Sequence, residues 1–362
     1  MKAFLRFFKG LHVWLAVNVC VLALFFILRT QRAVMNLWCE RVAMPLERAL
    51  GALCAYLPFS LAEALYALAI LALLVYLVRT LVLLRRADYK RDVVYGRTLA
   101  LLNVVLSLYA AFCLLWGANY YADDFCDKSG IDPEPVAYED LLRVTEYFAL
   151  QTAANADGVP RAADGTFAVP RSEILAYAPA LYAETVNEEF PFLALPRDYA
   201  PKAILCSRLM SAMNFTGFYF PFTGECNVNA DFPADLLPAT AAHELAHRRG
   251  IASEQQCNFI SILASTRSQN AAYRYSGWLS GYVYLSNALY RVDRESWLAI
   301  RQALPAGVEA DLRNAGAYWA RYDGKAAEVS DKVYDKMLKS YGQELGMQSY
   351  GAVVDLLVAY YK

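Results

Sequence analysis

The sequence predicts a mainly α-helical chain with a small β-sheet, an α+β fold, behind a set of N-terminal membrane helices. Three observations predict it. The chain is 58% hydrophobic and only 19% charged, too apolar for an ordinary soluble domain. Its charge is unevenly spread: residues 1–119 hold 13 Lys/Arg against 5 Asp/Glu, whereas residues 120–362 hold 21 against 30. Helical periodicity dominates the second part, interrupted by one β-branched and aromatic stretch at 202–230. The chain divides accordingly into a membrane part, 1–119, and a globular part, 120–362.

Three segments are long and apolar enough to span a bilayer, at about 11–28, 61–78 and 99–118. The first is read as a retained anchor, because Arg29 stands where a signal peptide would carry its small-residue cleavage site. Arg79, Arg85, Arg86, Lys90, Arg91 and Arg97 crowd the short connection between the second and third spans, which predicts that this connection is cytoplasmic. The N-terminus is then cytoplasmic as well, and the C-terminal part extracytoplasmic. Arg29, Arg32, Arg41 and Arg48 in the outer connection weaken the bias, and Glu40 and Glu47 partly offset them. No concentrated basic patch follows, so a bilayer is an expected partner and nucleic acid is not.

The segment 33–59 has apolar residues at helical spacing, with Pro45 interrupting and Pro58 closing it. It is either an interfacial helix that roofs a site or a packed connector. Further on, Tyr138–Asn155 reads as an amphipathic helix, and Ser172 as the N-cap of another that reaches about Glu189. The stretch 202–230 predicts short strands with turns at Thr216-Gly217 and Thr223-Gly224, and from Pro238 the chain reads as helical with breaks near Pro305 and Gly346. The apolar run Gly277–Tyr290 is too short to span and carries Ser280, Ser286 and Asn287, which suits a core helix. Of the eight cysteines, Cys206 and Cys226 form one candidate disulfide pair, and none has CxxC spacing.

The chemistry concentrates at Ala239–Ala264, which contains His243-Glu244-x-x-His247. Residues four apart on a helix share one face, so both imidazoles can reach a single cation. Glu244 stands beside the first ligand, placed to take the proton of an attacking water. Two of the three histidines in the chain fall in this motif, and the third, His12, lies in the first span. The bland alternative is a pair of helix-surface histidines. A zinc site needs a third protein ligand, and with no further His available it must be a carboxylate or Cys. Glu254 is the candidate. A continuous helix would carry it about 10 Å along the axis from His247. Gly250 can instead end the first helix in the left-handed conformation and Ser253 can N-cap a second, turning Glu254 back to the metal. Asn258, one turn on, can hydrogen-bond a ligand. Cys257 ranks below Glu254. An exposed first-turn carboxylate is the alternative for Glu254.

HELAHRRG followed by Glu-x-x-x-Asn resembles the gluzincin arrangement of zinc metallopeptidases, in which two His of the motif and a Glu on the next helix hold Zn2+. A metzincin would place a third His at position 253, where this chain has Ser253. More closely, PFTGECNVN (221–229), HELAHRRGIASEQQCN (243–258), YSGWLSGYVYLSNALY (275–290) and SYGAVVDLLVAYY (349–361) resemble a bacterial family of polytopic membrane proteins known by a domain-of-unknown-function label. Members usually have a second acidic residue and Ala where this chain has Gln256 and Cys257, which leaves Glu254 and Asn258 untouched. The resemblance implies a zincin-like domain over most of 120–362.

Zincins generally pair an extended substrate with a strand edge beside the catalytic helix, which makes Glu225 and Asn227 candidate cleft residues; strand and turn residues that only hold the fold are the alternative. Tyr275, Tyr334 and Tyr350 are candidates to stabilise an oxyanion. The expected activity is hydrolysis of peptide or protein substrates outside the membrane, since no long apolar run surrounds the motif. Two alternatives stand beside it: a non-catalytic metal-binding sensor or scaffold, against which an intact Glu244 argues, and a zinc amidase acting on a cell-wall cross-link.

Overall fold

The computed structural model describes residues 8–133, 135–341 and 350–362. Helix α1 (Lys9–Leu28) leads into a connector of α2 (Arg32–Trp38), one π-helical turn (Cys39–Ala43) and α3 (Met44–Cys54). The π turn has a local cause: Pro45 has no N–H to offer to the preceding turn, so the ladder widens just before it. Two long helices follow, α4 (Leu61–Arg86) and α5 (Lys90–Leu115), and then a 3-10 turn, Gly117–Tyr121.

Helices α1, α4 and α5 are each long and apolar enough to cross a membrane, which makes this a membrane protein by composition. The third helix is displaced from its expected bounds. It begins at Lys90 and ends at Leu115, so Ala118 lies in the 3-10 turn beyond it. Helices α1 and α5 are joined by polar clasps rather than apolar contact alone. Asn18 Nδ2 donates to the Asn103 carbonyl at 3.1 Å, Asn103 Nδ2 donates to Leu11 O at 3.0 Å, and Ser107 Oγ donates to Asn18 Oδ1 at 3.0 Å. Between lipid-facing helices such groups find no other partners, which is why they pair. His12 sits in this pair too, bonded to Tyr95 at 2.6 Å, and is not part of the group that His243 and His247 form.

The rest of the chain folds around one core, from Phe125 to Val358. Its elements are α6 (Phe125–Ser129), α7 (Tyr138–Ala156), α8 (Arg171–Tyr177), α9 (Leu181–Thr185), β1 (Lys202–Ile204), α10 (Ser207–Ala212), β2 (Gly217–Phe220) and β3 (Glu225–Asn229). Then come α11 (Leu237–His247), α12 (Glu254–Thr266), α13 (Ala271–Val292), α14 (Arg294–Gln302), α15 (Ala306–Ala320), α16 (Lys325–Ser340) and α17 (Tyr350–Tyr361). Helix α13, which contains Gly277–Tyr290, is a core helix packed on α7, α11 and α12.

Several expectations shift. The helix expected from Ser172 starts at Arg171 and breaks at a 3-10 turn over Ala178–Ala180, because Pro179 interrupts its bonding. Asp293 ends α13 and caps α14, its carboxylate accepting from Glu295 N and Ser296 N, so a break falls there that the sequence reading did not mark. The expected break at Gly346 lies outside the described residues. All eight cysteines are free; Cys206 is exposed and Cys226 buried, so the candidate pair is not formed.

The sheet runs β1-β3-β2, with β1 parallel and β2 antiparallel to β3. Strand β3 is central and wholly buried; β2 is an edge strand. The connector does more than join spans. The Glu47 side chain on α3 accepts from Tyr219 OH of β2 at 2.9 Å, and the backbone at Gly51 approaches that at Gly224. The segment 33–59 is therefore packed against the sheet.

Candidate metal centre

Helix α11 starts with Pro238 in its first turn, where a missing N–H costs nothing, and is lined by alanines that let it sink into the core against α12 and α13. It ends at His247, and Gly250 follows with φ +85°, the left-handed conformation that stops a helix. A side chain there would also meet Met44 Sδ at 2.6 Å, so the turn is pressed against the connector. Helix α12 starts at Glu254 as expected, although the Ser253 hydroxyl bonds Gln255 Oε1 at 3.2 Å and makes no cap bond.

The reversal brings three groups together. The ligand atoms of His243, His247 and Glu254 lie within 4.8 Å of one another. His243 Nε2 is 3.1 Å from His247 Nε2 and 3.1 Å from Glu254 Oε2, and His247 Nε2 is 3.5 Å from Glu254 Oε1. The other imidazole nitrogens fix the tautomers. His243 Nδ1 bonds Asn258 Oδ1 at 2.8 Å and His247 Nδ1 bonds Ile251 O at 2.8 Å. Both partners are oxygens that can only accept, so each ring keeps a proton on Nδ1 and Nε2 is the atom turned toward Glu254, free to bind a metal once it carries no proton. Ligand atoms about 2.0–2.1 Å from one tetrahedral ion stand about 3.3 Å apart, close to the spacings found. The donor set therefore fits a metal ion. Cys257 stands behind the ring, its Sγ 3.3 Å from His247 Nδ1, and is not among the converging atoms.

Glu244 is buried and lines the same cavity as the three ligands, and among the described residues its Oε2 has no hydrogen-bond partner. Burial pushes its carboxyl up to about 7 against the pull of the two histidines. Gly217, the first residue of β2, lies directly over it. Burial also acts to raise Glu254, but the two histidines outweigh it and hold that carboxyl well below the usual range.

Of the three tyrosines singled out from sequence, Tyr334 on α16 reaches the site and donates to Glu254 Oε1. Burial, then the neighbouring Glu254, raises its hydroxyl well above the ordinary value. Tyr275 is enclosed in the core, bonded to Asp311, and does not approach the centre. The side chain of Tyr350 lies outside the described residues. Trp116 and Tyr120, just past α5, line the same cavity of about 680 Å³ and carried no sequence signal.

Glu225 and Asn227 are not brought to that cavity. The Glu225 carboxylate accepts from Leu61 N at 3.1 Å, Ala62 N at 3.0 Å, Thr223 Oγ1 at 2.7 Å and Lys202 Nζ at 2.6 Å. Asn227 Oδ1 accepts from Ser60 Oγ at 2.7 Å. Both side chains hold the first turn of α4 instead of facing a cleft. Side chains alternate along a strand, so on β3 these two share one face while Cys226, whose thiol lies 3.2 Å from Glu244 O, points the other way.

Three apolar helices, an α+β body and a His-His-Glu group able to hold a metal define a membrane protein with a candidate metal centre. Residues 40–358 match a family described as protein of unknown function (DUF3810), and the chain belongs to it. No curated protein and no solved structure matches the chain.

Proposed function

We propose that this protein is a membrane-anchored, zinc-dependent metallopeptidase with a zincin-like domain of the gluzincin kind. The observation that supports it most directly is the convergence of His243, His247 and Glu254, with Glu244 next to the first of them in the chain and its buried Oε2 unpartnered among the described residues. Two imidazoles and one carboxylate suit zinc. When bound, zinc would supply Lewis acidity toward a carbonyl oxygen and the attacking water.

The chain's own residues do the rest. His243 and His247 present Nε2 lone pairs because Asn258 and Ile251 hold their Nδ1 protons. Glu244 takes a proton from water as the C–O bond forms, and delivers it to the amine as the C–N bond breaks. Tyr334, whose hydroxyl is 2.5 Å from Glu254, steadies the ligand carboxylate and is a hydroxyl in the cavity that could serve a developing oxyanion. The free edge of β2 beside α11 offers backbone pairing to an extended substrate. Arg79, Arg85 and Arg86 at the end of α4 and Lys90 and Arg91 at the start of α5 favour a cytoplasmic N-terminus and an extracytoplasmic site.

The test is elemental analysis of purified wild type, His243→Ala and Glu244→Gln, each incubated with a mixed peptide library. About one zinc per chain is expected in wild type and Glu244→Gln, with cleavage by wild type only. Wild type without zinc overturns the metal site; zinc without cleavage turns the assignment to a sensor or a non-peptide amide.

A further inference from the structure

The metal centre stands at the end of a membrane-spanning helix. The apolar part of α5 runs from Thr98 to Leu115 and follows Arg97. Eighteen residues of α-helix rise roughly 27 Å, close to the roughly 30 Å of a bilayer's hydrocarbon core. With Arg97 at one boundary, Trp116 marks the other, and Tyr120 and Tyr121 follow it as an aromatic belt would. The Trp116 ring lies 5.6 Å from the His247 ring and 5.1 Å from the ring of Tyr219 on β2. One side chain therefore separates the membrane boundary from a metal ligand. Phe112, a turn deeper in α5, lines the same cavity as His243, Glu244 and Glu254.

The surroundings of β2 agree. Phe218 and Phe220 pack against Tyr66 of α4, ring centroids 6.3 and 5.3 Å apart, and Tyr66 is otherwise exposed on the flank of a membrane helix. Glu63 of α4 accepts from Leu205 N and Cys206 N, and there Leu205 is 88% and Leu209 59% exposed. These apolar side chains continue the surface of α4 at the level where the globular part meets the membrane. A strand added to the free edge of β2 would lie along that level.

We infer that the substrate is a polypeptide tethered to the same membrane, cut within a few residues of the bilayer surface. This rests on the peptidase assignment above and adds to it the substrate class. A soluble chain has no reason to enter at the headgroup level, whereas a tethered one arrives there held at high local concentration.

The experiment uses the full-length protein, zinc-loaded, in proteoliposomes of phosphatidylethanolamine and phosphatidylglycerol. The probe is a library of randomised 40-residue segments fused to a single transmembrane anchor, with the anchor-free library as comparison and Glu244→Gln as the inactive control. Cut positions are mapped by mass spectrometry. A site at the surface reaches the first about six residues, an extended span of roughly 20 Å, which a site held well above the membrane cannot. Cuts inside that span, and a rate at least about 10-fold lower for the anchor-free library, are expected. The inference is overturned, and the peptidase assignment kept, if the nearest cuts lie beyond that span or if removing the anchor leaves the rate unchanged. No cleavage of either library overturns the peptidase assignment itself, and this inference with it.

Discussion

Gly217 lies against the carboxylate of Glu244: a Cβ at Gly217 would stand 2.4 Å from Oε1 and 2.8 Å from Cδ. It would also stand 2.9 Å from the backbone carbonyl of Asn227, so the strand cannot simply shift away. Gly217→Ala is expected to displace Glu244 while leaving the three ligands in place. Peptide cleavage should fall by about 10-fold or more at unchanged metal content, with an overpacking cost of about 1–3 kcal/mol. Steady-state kinetics beside elemental analysis decide it; full activity would show that Glu244 does not act from this position.

Asn258 sets the tautomer of His243 through a 2.8 Å bond to Nδ1. Replacing Asn258 by Ala should weaken metal affinity by about 10–100-fold, the usual effect of losing a group that orients a ligand. Competition against a chelator of known affinity measures it. Tyr334→Phe removes the bond to Glu254 and should weaken affinity in the same direction.

Glu225 joins the sheet to the first turn of α4 through four hydrogen-bond donors, one of them the half-buried Lys202 ammonium. Glu225→Gln is expected to cost about 1–3 kcal/mol, because it leaves the half-buried Lys202 ammonium with only the Cys54 and Phe59 carbonyls and removes its partner charge. Its KM should stay as in wild type. A raised KM with unchanged thermal stability would return Glu225 to the substrate cleft.

The buried carboxyl of Glu47 gives a pH dependence. Burial pushes it up to about 8, against the opposing bond from Tyr219. In the unfolded chain it titrates near about 4.3. Between these values the folded protein holds a proton that the unfolded chain has released, so stability falls as pH rises through that window. Glu47→Gln removes this loss. Its melting midpoint should exceed that of wild type at pH of about 8.5, with the gap closing by about pH 5; equal midpoints at both would mean that Glu47 is ionised in the fold.

The sequence by itself determined the local features of this protein. Apolar runs of bilayer length, the i,i+4 histidines, Gly250 as a helix stop and the start of α12 at Glu254 all follow from neighbours within a few residues, where spacing fixes geometry. The convergence of Glu254 on the histidines was legible for that reason, since only three residues separate Gly250 from it. The tertiary structure decided what depends on distant segments. That Glu225 and Asn227 turn toward α4 is set by Ser60 and the free N–H groups of Leu61 and Ala62, more than 160 residues away along the chain. Choosing Tyr334 over Tyr275 required knowing which helix returns to the centre, and 26 tyrosines gave no local hint. Trp116 against His247 is the same kind of fact. Each residue reads alone as a membrane-boundary aromatic or a ligand, and only the tertiary structure, which sets the residue after α5 beside the end of α11, makes them neighbours.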